Sequence, residues 1–396
     1  MADRPIKELG DKTPLAYART PNMNKLASVG RVGLVKTIPD GFEPGSDVAN
    51  LSVLGYNPAR YYTGRAPLEA ASIGAKLDEA DVAFRCNLVT LSDEDDYSEK
   101  RMIDYSSDEI ETDEAAKLIN GVKEVLESED IHFYVGTSYR HLMVWKGGPV
   151  DLKLTPPHDI SERVIGSYLP KGDKAGELLE LMMDSNKFLP EHPVNLMRKS
   201  KGLRLSTSIW IWGHGRRPTL ETFYKKYGLT GAVVSAVDLV KGLGVYAGLD
   251  IVKVNGATGT INTNFLGKAQ AGLDVLKSGK DFVFIHLEAA DEAGHRGEVD
   301  TKVKAIEEVD EKVIGTLLSE LGSEDYRLMI LPDHATPISI RTHSADDVPF
   351  LIASGEDLKK SCSHDRIPEF SEELTKKGGF MVDKGYELMD LFLTKR

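Results

Sequence analysis

Apolar runs alternate with amphipathic stretches through the second half of the 396-residue chain. Strand-like runs occur at 231–234, 250–254, 282–287, 326–331 and 349–353. Helical patterns lie between them at 236–243, 268–277 and 301–321. Phe282–Ile285 is apolar at every position, which predicts a strand buried on both faces. Regular alternation of strands and helices predicts an α/β fold, with a mostly parallel sheet flanked by helices.

The middle of the chain has a different pattern. Short strand-like pieces are mixed there with acidic helical stretches and with proline-rich breaks. The strand-like pieces occur at 84–90, 132–135 and 141–145. We interpret residues 81–224 as a smaller α/β domain that is inserted into a larger one, made of residues 1–80 and 225–396.

Charge and composition narrow the functional classes. The chain has 49 basic and 62 acidic residues, and its net charge of −13 argues against binding to nucleic acid or to an anionic membrane surface. No apolar run reaches the roughly 18–20 residues of a membrane helix, and the first residues lack the apolar segment of a signal peptide. Two cysteines, Cys86 and Cys362, cannot form a disulfide framework. We therefore expect a cytoplasmic protein without nucleic-acid or membrane partners.

Side chains of the metal-ligand type lie close to three predicted strands. Asp291 and His295 follow the strand at 282–287 and are four residues apart, so one helical turn would place them on the same face. Asp333 and His334 directly follow the strand at 326–331, and His343 precedes the last strand. Ligands of open α/β sheets bind at the carboxyl ends of strands, and Asp and His together suit Mn²⁺ or Zn²⁺. The local sequence leaves one alternative open, in which these residues are helix caps and surface histidines.

Ser46 is the candidate nucleophile. It follows Gly45 and precedes an apolar-periodic run, a position in which a serine most commonly caps the N-terminus of a helix. A serine in this place could also attack a substrate if a bound metal activated its hydroxyl. The local sequence alone favours the capping role.

Several short motifs together resemble one known family. They include PGSDVANLS at 44–52 and DHATP at 333–337, with further motifs at 61–70, 84–87, 139–141, 157–159, 291–295 and 341–343. In order and spacing they resemble the cofactor-independent phosphoglycerate mutases of the archaeal type, over essentially the whole chain. The resemblance implies an alkaline-phosphatase-like fold, in which a mostly parallel sheet flanked by helices carries an inserted smaller α/β domain. The sequence is most similar to a bacterial sub-branch whose members have been proposed to be homoserine kinases.

The resemblance also implies a role for each matching residue. Ser46 would carry the phosphoryl group, and two divalent metal ions would be bound, foremost Mn²⁺, with Mg²⁺, Co²⁺ or Zn²⁺ as alternatives. The ligands of the first ion would be Asp291, His295 and His343, and those of the second ion Ser46, Asp333 and His334. The residues that contact substrate would be Arg85, Arg140, His158 and Asp159, with Arg65, Arg216 and Lys268 as further candidates. Asp159 could also act as a general acid or base.

The implied activity is the interconversion of 3-phosphoglycerate and 2-phosphoglycerate without bisphosphoglycerate as a cofactor. The substrate would be small, phosphorylated and anionic. A homoserine kinase is a second hypothesis, although the chain lacks the G-x-x-x-x-G-K-[ST] phosphate cradle. A metal-dependent phosphomonoesterase, in which water captures the phosphoserine, is a third.

The chain departs from the family pattern at its start. Family members begin with a strand ending in Asp-Gly, whose aspartate binds the second metal, and this chain starts after that point. Asp3 has its own counterpart in relatives and is not expected to replace the missing ligand. An inactive binding remnant is therefore the non-enzyme alternative. We assign no role to Asn50, and we expect His132, His192, His286 and His364 to be packed or exposed rather than metal ligands.

Overall fold

The computed structural model describes residues 1–322, 325–359, 369–373 and 380–394. The strands are β1 (Arg31–Val35), β2 (Val82–Leu91), β3 (Met102–Asp104), β4 (Ile131–Thr137), β5 (Arg140–Trp145), β6 (Leu152–Lys153), β7 (Lys171–Gly172), β8 (Ser208–Arg216), β9 (Gly231–Val234), β10 (Asp250–Val252), β11 (Phe282–Ile285), β12 (Arg327–Ile330), β13 (Val348–Ser354) and β14 (Phe380–Val382). Cys362 and His364 lie outside the described residues.

The helices carry most of the remaining ordered chain. They are α1 (Pro14–Tyr17), α2 (Pro21–Ala27), α3 (Ser46–Val53), α4 (Pro58–Tyr61), α5 (Ala66–Ser72), α6 (Thr112–Leu126), α7 (Ala175–Phe188), α8 (Pro193–Ser200), α9 (Phe223–Tyr227), α10 (Asp238–Tyr246), α11 (Phe265–Lys277), α12 (Ala289–Arg296), α13 (Val299–Glu308), α14 (Gly315–Leu321), α15 (Gly355–Leu358) and α16 (Leu388–Leu393). None of the helices in the described ranges is long and apolar enough to cross a membrane.

The chain forms two compact units. The first consists of Met1–Tyr62 and Leu220–Arg396, and the second of Thr63–Thr219. In the first unit, β9 pairs in parallel with β10 and β11, and β1 pairs in parallel with β14. Strand β13 runs antiparallel to both of its neighbours, β1 and β12. The predicted α/β class is confirmed, with one reversed strand inside the larger sheet.

Strand β11 is less buried than its sequence predicts. Phe282 is buried, but the next three residues of the strand are only partly buried. The reason is its position, because β11 ends the sheet order β10–β9–β11 and pairs on one edge only among the described residues. The apolar run therefore predicted the strand correctly but overestimated how deeply its side chains are buried.

The helix predicted at 301–321 contains a change of winding. Helices α13 and α14 are joined by a π-helical segment, Val309–Ile314. Asp310 in this segment accepts hydrogen bonds from the backbone N–H groups of Asn22 (3.1 Å) and Met23 (2.7 Å). These are among the first N–H groups of α2, which have no partner within their own helix. The π segment thus places a carboxylate at the N-terminus of α2.

The second unit is built on an antiparallel sheet. Its strand order is β3–β2–β5–β4, and β8 additionally pairs antiparallel with β2. One face of this sheet buries large side chains, including Phe84, Met143 and Trp145, against the helical layer. On the other face, Ala66 and Ala70 of α5 pack on Ala83 and Val144. Helix α5 therefore belongs to the second unit, although the sequence interpretation places residues up to 80 in the larger domain.

A buried ion pair anchors the first residues of the chain. The Lys302 ammonium donates to the Asp3 carboxylate (2.7 Å) and to the carbonyl of Thr336 (2.7 Å). The Lys302 and Asp3 side chains are 0% and 1% exposed. Asp3 also accepts a hydrogen bond from the backbone N–H of Ile338 (3.2 Å). The carboxylate oxygens of Asp3 therefore bind the segment that follows His334.

We expect the substitution Lys302→Met to lower the free energy of unfolding by about 3–5 kcal/mol, because it leaves the Asp3 carboxylate buried without a counter-ion. Urea unfolding followed by circular dichroism would measure the change. Lys304→Met is the matched control, since Lys304 is exposed two residues further along α13. Equal stability of both variants and the wild type would show that the buried pair contributes nothing.

Candidate active site

Three predicted metal ligands converge in the first unit. Asp291 and His295 lie one turn apart on α12, and His343 comes from the loop before β13. The Asp291 carboxylate lies 3.4 Å from His295 Nε2 and 3.6 Å from His343 Nε2, and the two Nε2 atoms are 3.0 Å apart. All the potential ligand atoms fall within 4.8 Å of one another. Two imidazole nitrogens and a carboxylate form a donor set that fits Mn²⁺ or Zn²⁺.

The outer nitrogens of the two imidazoles are held by backbone carbonyls. His295 Nδ1 lies 3.1 Å from the Arg341 carbonyl oxygen, and His343 Nδ1 lies 3.3 Å from that of Pro44. Since carbonyls only accept hydrogen bonds, each Nδ1 is the donor in these contacts, and Nε2 is the ring nitrogen that faces Asp291 and would be available to a metal ion. Burial alone would raise the pKa of Asp291, but hydrogen bonds with His295 and His343 hold it well below its usual value.

Ser46 and His334 form the second part of the site. Gly45 is the N-cap of α3, and Ser46 is the first helical residue, with its Oγ 2.9 Å from His334 Nε2. The interpretation of Ser46 as a capping residue is therefore wrong. Asp333 accepts hydrogen bonds from the backbone N–H of His334 (3.0 Å) and from Asn50 Nδ2 (2.8 Å). The His334 and His343 rings lie 4.1 Å apart between centroids, so the two predicted metal groups are neighbours.

Two further residues of this region were given no site role by sequence reasoning. His286 is buried with its Nε2 3.6 Å from the Asp333 carboxylate. Burial would lower the pKa of His286, but the Asp333 carboxylate outweighs it and raises that pKa. Asn50 donates from one amide group to Asp333 and to the carbonyl of Ser46 (2.8 Å). His286 directly follows β11, so the strand-end rule that identified Asp333 could also have identified His286.

Lys268 is fully buried on α11. Its ammonium donates to the carbonyl of Thr258 (3.3 Å). Burial lowers the pKa of Lys268 to about 8, because it disfavours the charged form, and the carboxylate of Glu288 opposes this effect. Glu288 is itself buried, which raises its pKa. Lys268 is thus a cation that gives up its proton more readily than an exposed lysine, and its contact with substrate stays a prediction.

The second unit contains a cluster of cationic side chains. One carboxylate, that of Glu69, accepts from Arg85 Nε (3.0 Å) through one oxygen and from Arg65 Nε (3.3 Å) through the other. The Arg85 guanidinium also lies 4.3 Å from the centre of the Trp212 ring. Burial lowers the pKa of Arg85, Glu69 opposes this effect, and the charges of Arg65 and Arg140 lower the pKa further.

His158 and Asp159 lie on a 3₁₀ turn beside the arginines. The His158 ring packs edge-on against Trp212, with ring centroids 5.3 Å apart, and its Nε2 lies 3.7 Å from Asp159 Oδ1. Burial lowers the pKa of His158, the charge of Asp159 opposes this, and Arg85 and Arg65 add to the lowering. The five predicted substrate residues of this region, namely Arg65, Arg85, Arg140, His158 and Asp159, therefore influence one another electrostatically within one unit.

Arg216 ends β8 and lines a cavity of about 270 Å³. The other lining residues are Thr63, Val150, His214 and Gly215. The carbonyl of Arg216 accepts a hydrogen bond from Thr63 Oγ1 (2.6 Å), which ties the end of the strand to the start of the unit. The structure thus gives Arg216 a backbone role, and its contact with an anion stays a prediction.

The first unit therefore holds a serine hydroxyl beside imidazole and carboxylate ligands, and the second unit holds a cationic cluster. Divalent cations at the first group would stabilise negative charge on oxygen and favour ionisation of the hydroxyl. Arginines bind carboxylates and phosphates through two parallel hydrogen bonds. The first group thus suits phosphoryl transfer to a hydroxyl, and the second group suits the binding of a small anion.

Comparisons with known proteins agree on one family. The family model described as 2,3-bisphosphoglycerate-independent phosphoglycerate mutase matches residues 27–195. The protein of Geobacter sulfurreducens named probable 2,3-bisphosphoglycerate-independent phosphoglycerate mutase is 47% identical, and the match covers 100% of this chain and 98% of the relative. The mutase of the same name from Methanosarcina mazei is also 47% identical, over 99% of this chain and 97% of the relative.

Solved structures share the fold. The PH0037 protein from Pyrococcus horikoshii is 30% identical with a TM-score of 0.81, and the match covers 100% of this chain and 96% of that one. The cofactor-independent phosphoglycerate mutase from Thermoplasma acidophilum has a TM-score of 0.63 at 24% identity, over 99% of this chain and 96% of that one. At this lower identity the second likeness supports the fold alone.

Proposed function

The chain belongs to the family of 2,3-bisphosphoglycerate-independent phosphoglycerate mutases, and from this membership we propose that it interconverts 3-phosphoglycerate and 2-phosphoglycerate. It would act as an isomerase, transferring the phosphoryl group within one substrate molecule and without bisphosphoglycerate. The observation that supports this best is the 2.9 Å contact of Ser46 Oγ with His334 Nε2, beside the cluster of Asp291, His295 and His343. The reaction is a step of glycolysis and gluconeogenesis, for which we propose a cytoplasmic location.

The proposed site binds two divalent cations, foremost Mn²⁺. Asp291, His295 and His343 would hold one, and Ser46, Asp333 and His334 would hold the other. When bound, these ions neutralise the non-bridging phosphate oxygens and lower the pKa of the serine hydroxyl. The donor set fits them, because backbone carbonyls occupy the Nδ1 side of both imidazoles of the first group and both Nε2 atoms face the Asp291 carboxylate.

The transfer would proceed in two displacements. Ser46 would first lose its hydroxyl proton to solvent, its Oγ would then attack the phosphorus as the ester bond to glycerate breaks, and the departing oxygen would receive a proton from Asp159. The glycerate then reorients, its other hydroxyl returns a proton to Asp159, and this oxygen takes the phosphoryl group from Ser46. Arg85, Arg140 and His158 bind the carboxylate and hydroxyls of glycerate throughout, with Arg65, Arg216 and Lys268 as further anion contacts. Retention of glycerate is essential, because water would otherwise hydrolyse the phosphoserine.

A coupled assay for 2-phosphoglycerate on the purified full chain, with and without Mn²⁺, tests this proposal. We expect metal-dependent formation of 2-phosphoglycerate from 3-phosphoglycerate, with little release of inorganic phosphate. Steady phosphate release without isomerisation would favour a phosphomonoesterase. ATP-dependent consumption of homoserine would favour a kinase, and no turnover of any of these substrates would favour a binding remnant.

We expect the substitution Glu69→Gln to raise the KM for 3-phosphoglycerate about 10-fold or more, with a smaller effect on kcat. A glutamine keeps the shape but can accept from only one of the two arginines, and a lost charge-assisted hydrogen bond costs about 1.5–3 kcal/mol. Steady-state kinetics would measure both constants. The exposed Glu79 offers a matched control, Glu79→Gln. An unchanged KM in Glu69→Gln would contradict a role of Glu69 in positioning Arg65 and Arg85 for the substrate.

A further inference from the structure

Thr336 lies between the two proposed metal groups. Its side chain is buried, and its Oγ1 donates a short hydrogen bond to Asp291 Oδ1. The same oxygen lies 3.2 Å from His334 Nδ1. The opposite nitrogen of that ring, Nε2, lies 2.9 Å from Ser46 Oγ. A continuous chain of contacts therefore runs from Asp291 through Thr336 and His334 to Ser46.

The donor and the acceptor of each hydrogen bond in this series of contacts follow from the carboxylate of Asp291 at one end of it. In the contact between Thr336 and Asp291 the hydroxyl is the donor, because a carboxylate oxygen only accepts. The single hydroxyl proton of Thr336 is therefore donated to Asp291. The Thr336 oxygen can then serve His334 only as an acceptor, which requires the proton of the neutral His334 ring to be on Nδ1.

At mildly alkaline pH an imidazole is ordinarily neutral, because its usual pKa is about 6.5. With one ring proton on Nδ1, the Nε2 atom carries a lone pair. This lone pair faces the Ser46 hydroxyl, and it is also the one that a metal ion at His334 requires.

We propose that Thr336 is a positioning residue that holds His334 in its Nδ1–H tautomer and so keeps the Nε2 lone pair directed at Ser46. The proposal rests on the roles proposed above for Ser46 and His334, and it adds the residue that determines the protonated nitrogen of that imidazole. It also links the two metal groups through one hydroxyl, because the same Thr336 oxygen hydrogen-bonds to Asp291.

Two contacts hold Thr336 in position. Its backbone carbonyl accepts from the buried Lys302 ammonium (2.7 Å). Helix α12 also passes very close, since a Cβ added at Gly294 would lie 2.7 Å from the Thr336 carbonyl oxygen and 3.0 Å from its Cγ2. Only glycine permits this approach. The packing directs the methyl group of Thr336 at Gly294 and its hydroxyl at Asp291.

The substitution Thr336→Val keeps the shape of the side chain and removes the hydroxyl. His334 Nδ1 then loses its acceptor, whereas Nε2 still has two acceptors nearby, Ser46 Oγ at 2.9 Å and the Asp333 carboxylate at 3.6 Å. An N–H group that is buried without an acceptor is costly. The ring proton should therefore move to Nε2 in the valine variant, and the lone pair would turn away from Ser46.

Nitrogen NMR of the metal-free protein with ¹⁵N-labelled histidines, at mildly alkaline pH, tests the proposal directly. The signals of His334 are identified by their loss in His334→Gln. We expect a protonated Nδ1 and an unprotonated Nε2 in the wild type and in Thr336→Ser, and the reverse in Thr336→Val. His295 and His343 are internal controls, since their Nδ1 atoms face backbone carbonyls that the substitution leaves in place. A wild-type His334 protonated on Nε2, or a tautomer unchanged in Thr336→Val, would overturn the proposal.

Binding of Mn²⁺, measured by calorimetric titration, gives a second readout. Loss of an outer hydrogen-bond partner of a metal ligand typically weakens binding by about 10–100-fold. We expect a loss of this size in Thr336→Val and near wild-type affinity in Thr336→Ser. Equal affinity in both variants would overturn the link to metal binding.

The NMR measurement requires neither metal nor substrate, so its failure is distinguishable from a failure of the proposed mutase function, which Ser46→Ala tests separately. If the valine variant does not fold, the tautomer of the wild type still decides.

Discussion

Replacing Ser46 with alanine is expected to reduce mutase activity by about 10⁴-fold or more, since loss of an enzyme nucleophile typically removes most of the rate enhancement. The proposed reaction has no other acceptor for the phosphoryl group between the two displacements. Ser46 is the first residue of α3 and makes no capping hydrogen bond with its side chain. The substitution therefore removes one oxygen from the site without removing a helix cap, and stability should change little.

Ser52→Ala is the matched control for this experiment. Ser52 is fully buried on the same helix, and its Oγ has no hydrogen-bond partner in the described part of the chain. Both variants lose one hydroxyl from α3, but only one of these hydroxyls contacts His334. We expect near wild-type activity from Ser52→Ala in the coupled assay for 2-phosphoglycerate. Full activity of Ser46→Ala in the presence of Mn²⁺ would exclude Ser46 as the phosphoryl carrier.

A trapping experiment gives the same hypothesis a chemical readout. Brief incubation with labelled 3-phosphoglycerate, followed by acid quenching and peptide mass spectrometry, should locate a phosphoryl group on the peptide that contains Ser46. The label should be absent from the alanine variant. A phosphorylated residue elsewhere in the chain would assign the nucleophile differently.

The strand-end residues were predictable because their position depends on local sequence and on a general property of parallel sheets. Asp333 and His334 follow β12 after Leu331 and Pro332, and Asp291 and His295 sit one turn apart on the helix that follows β11. Ligands of α/β folds bind outside the carboxyl ends of strands, and here β11 and β12 contribute from two separate sheets. The same rule applies to His286, which directly follows β11; the sequence predicts it to be packed or exposed, and the structure shows it buried beside Asp333.

Other features depend on contacts between residues that are far apart in the chain. Glu69 joins Arg65 and Arg85 only because α5 packs on the sheet of the second unit. Thr336 joins Asp291 and His334 only because Gly294 lets α12 come close. The π-helical turn at Asp310 serves α2, almost three hundred residues earlier. A single sequence contains no local signal for such pairs, because neither partner is an unusual residue type for the helix or loop that contains it.

The choice between capping and catalysis at Ser46 illustrates the same limit. The segment around Gly45 and Ser46 is compatible with either residue as the N-cap, and the two choices differ by one position in where α3 begins. The outcome depends on His334, which lies 288 residues further along the chain. Once that contact is known, the serine is recognisable as a site residue, because a helix cap would direct its oxygen at the backbone instead.

The substitution Asp291→Asn is expected to weaken binding of one Mn²⁺ by about 100-fold or more, since even loss of an outer partner of a metal ligand costs up to about that much. Asparagine keeps the shape of the side chain, but it removes the negative charge that faces both His295 Nε2 and His343 Nε2. Its amide NH₂ group could also donate to one of these lone pairs and block it. Mutase activity should fall with metal occupancy, and raising the Mn²⁺ concentration should restore part of it.

Glu292→Gln is the matched control, because Glu292 is the next residue on α12 and its side chain is 41% exposed in a surface pair with Arg296. Calorimetric titration of metal-free protein with Mn²⁺ would give the number of ions bound and their affinities for the wild type and both variants. We expect two sites in the wild type and in Glu292→Gln, and one strong site in Asp291→Asn. Since Asp291 also accepts the Thr336 hydroxyl, the asparagine variant should disturb the second site slightly as well. Two unchanged sites in Asp291→Asn would show that the cluster of Asp291, His295 and His343 is not a metal site.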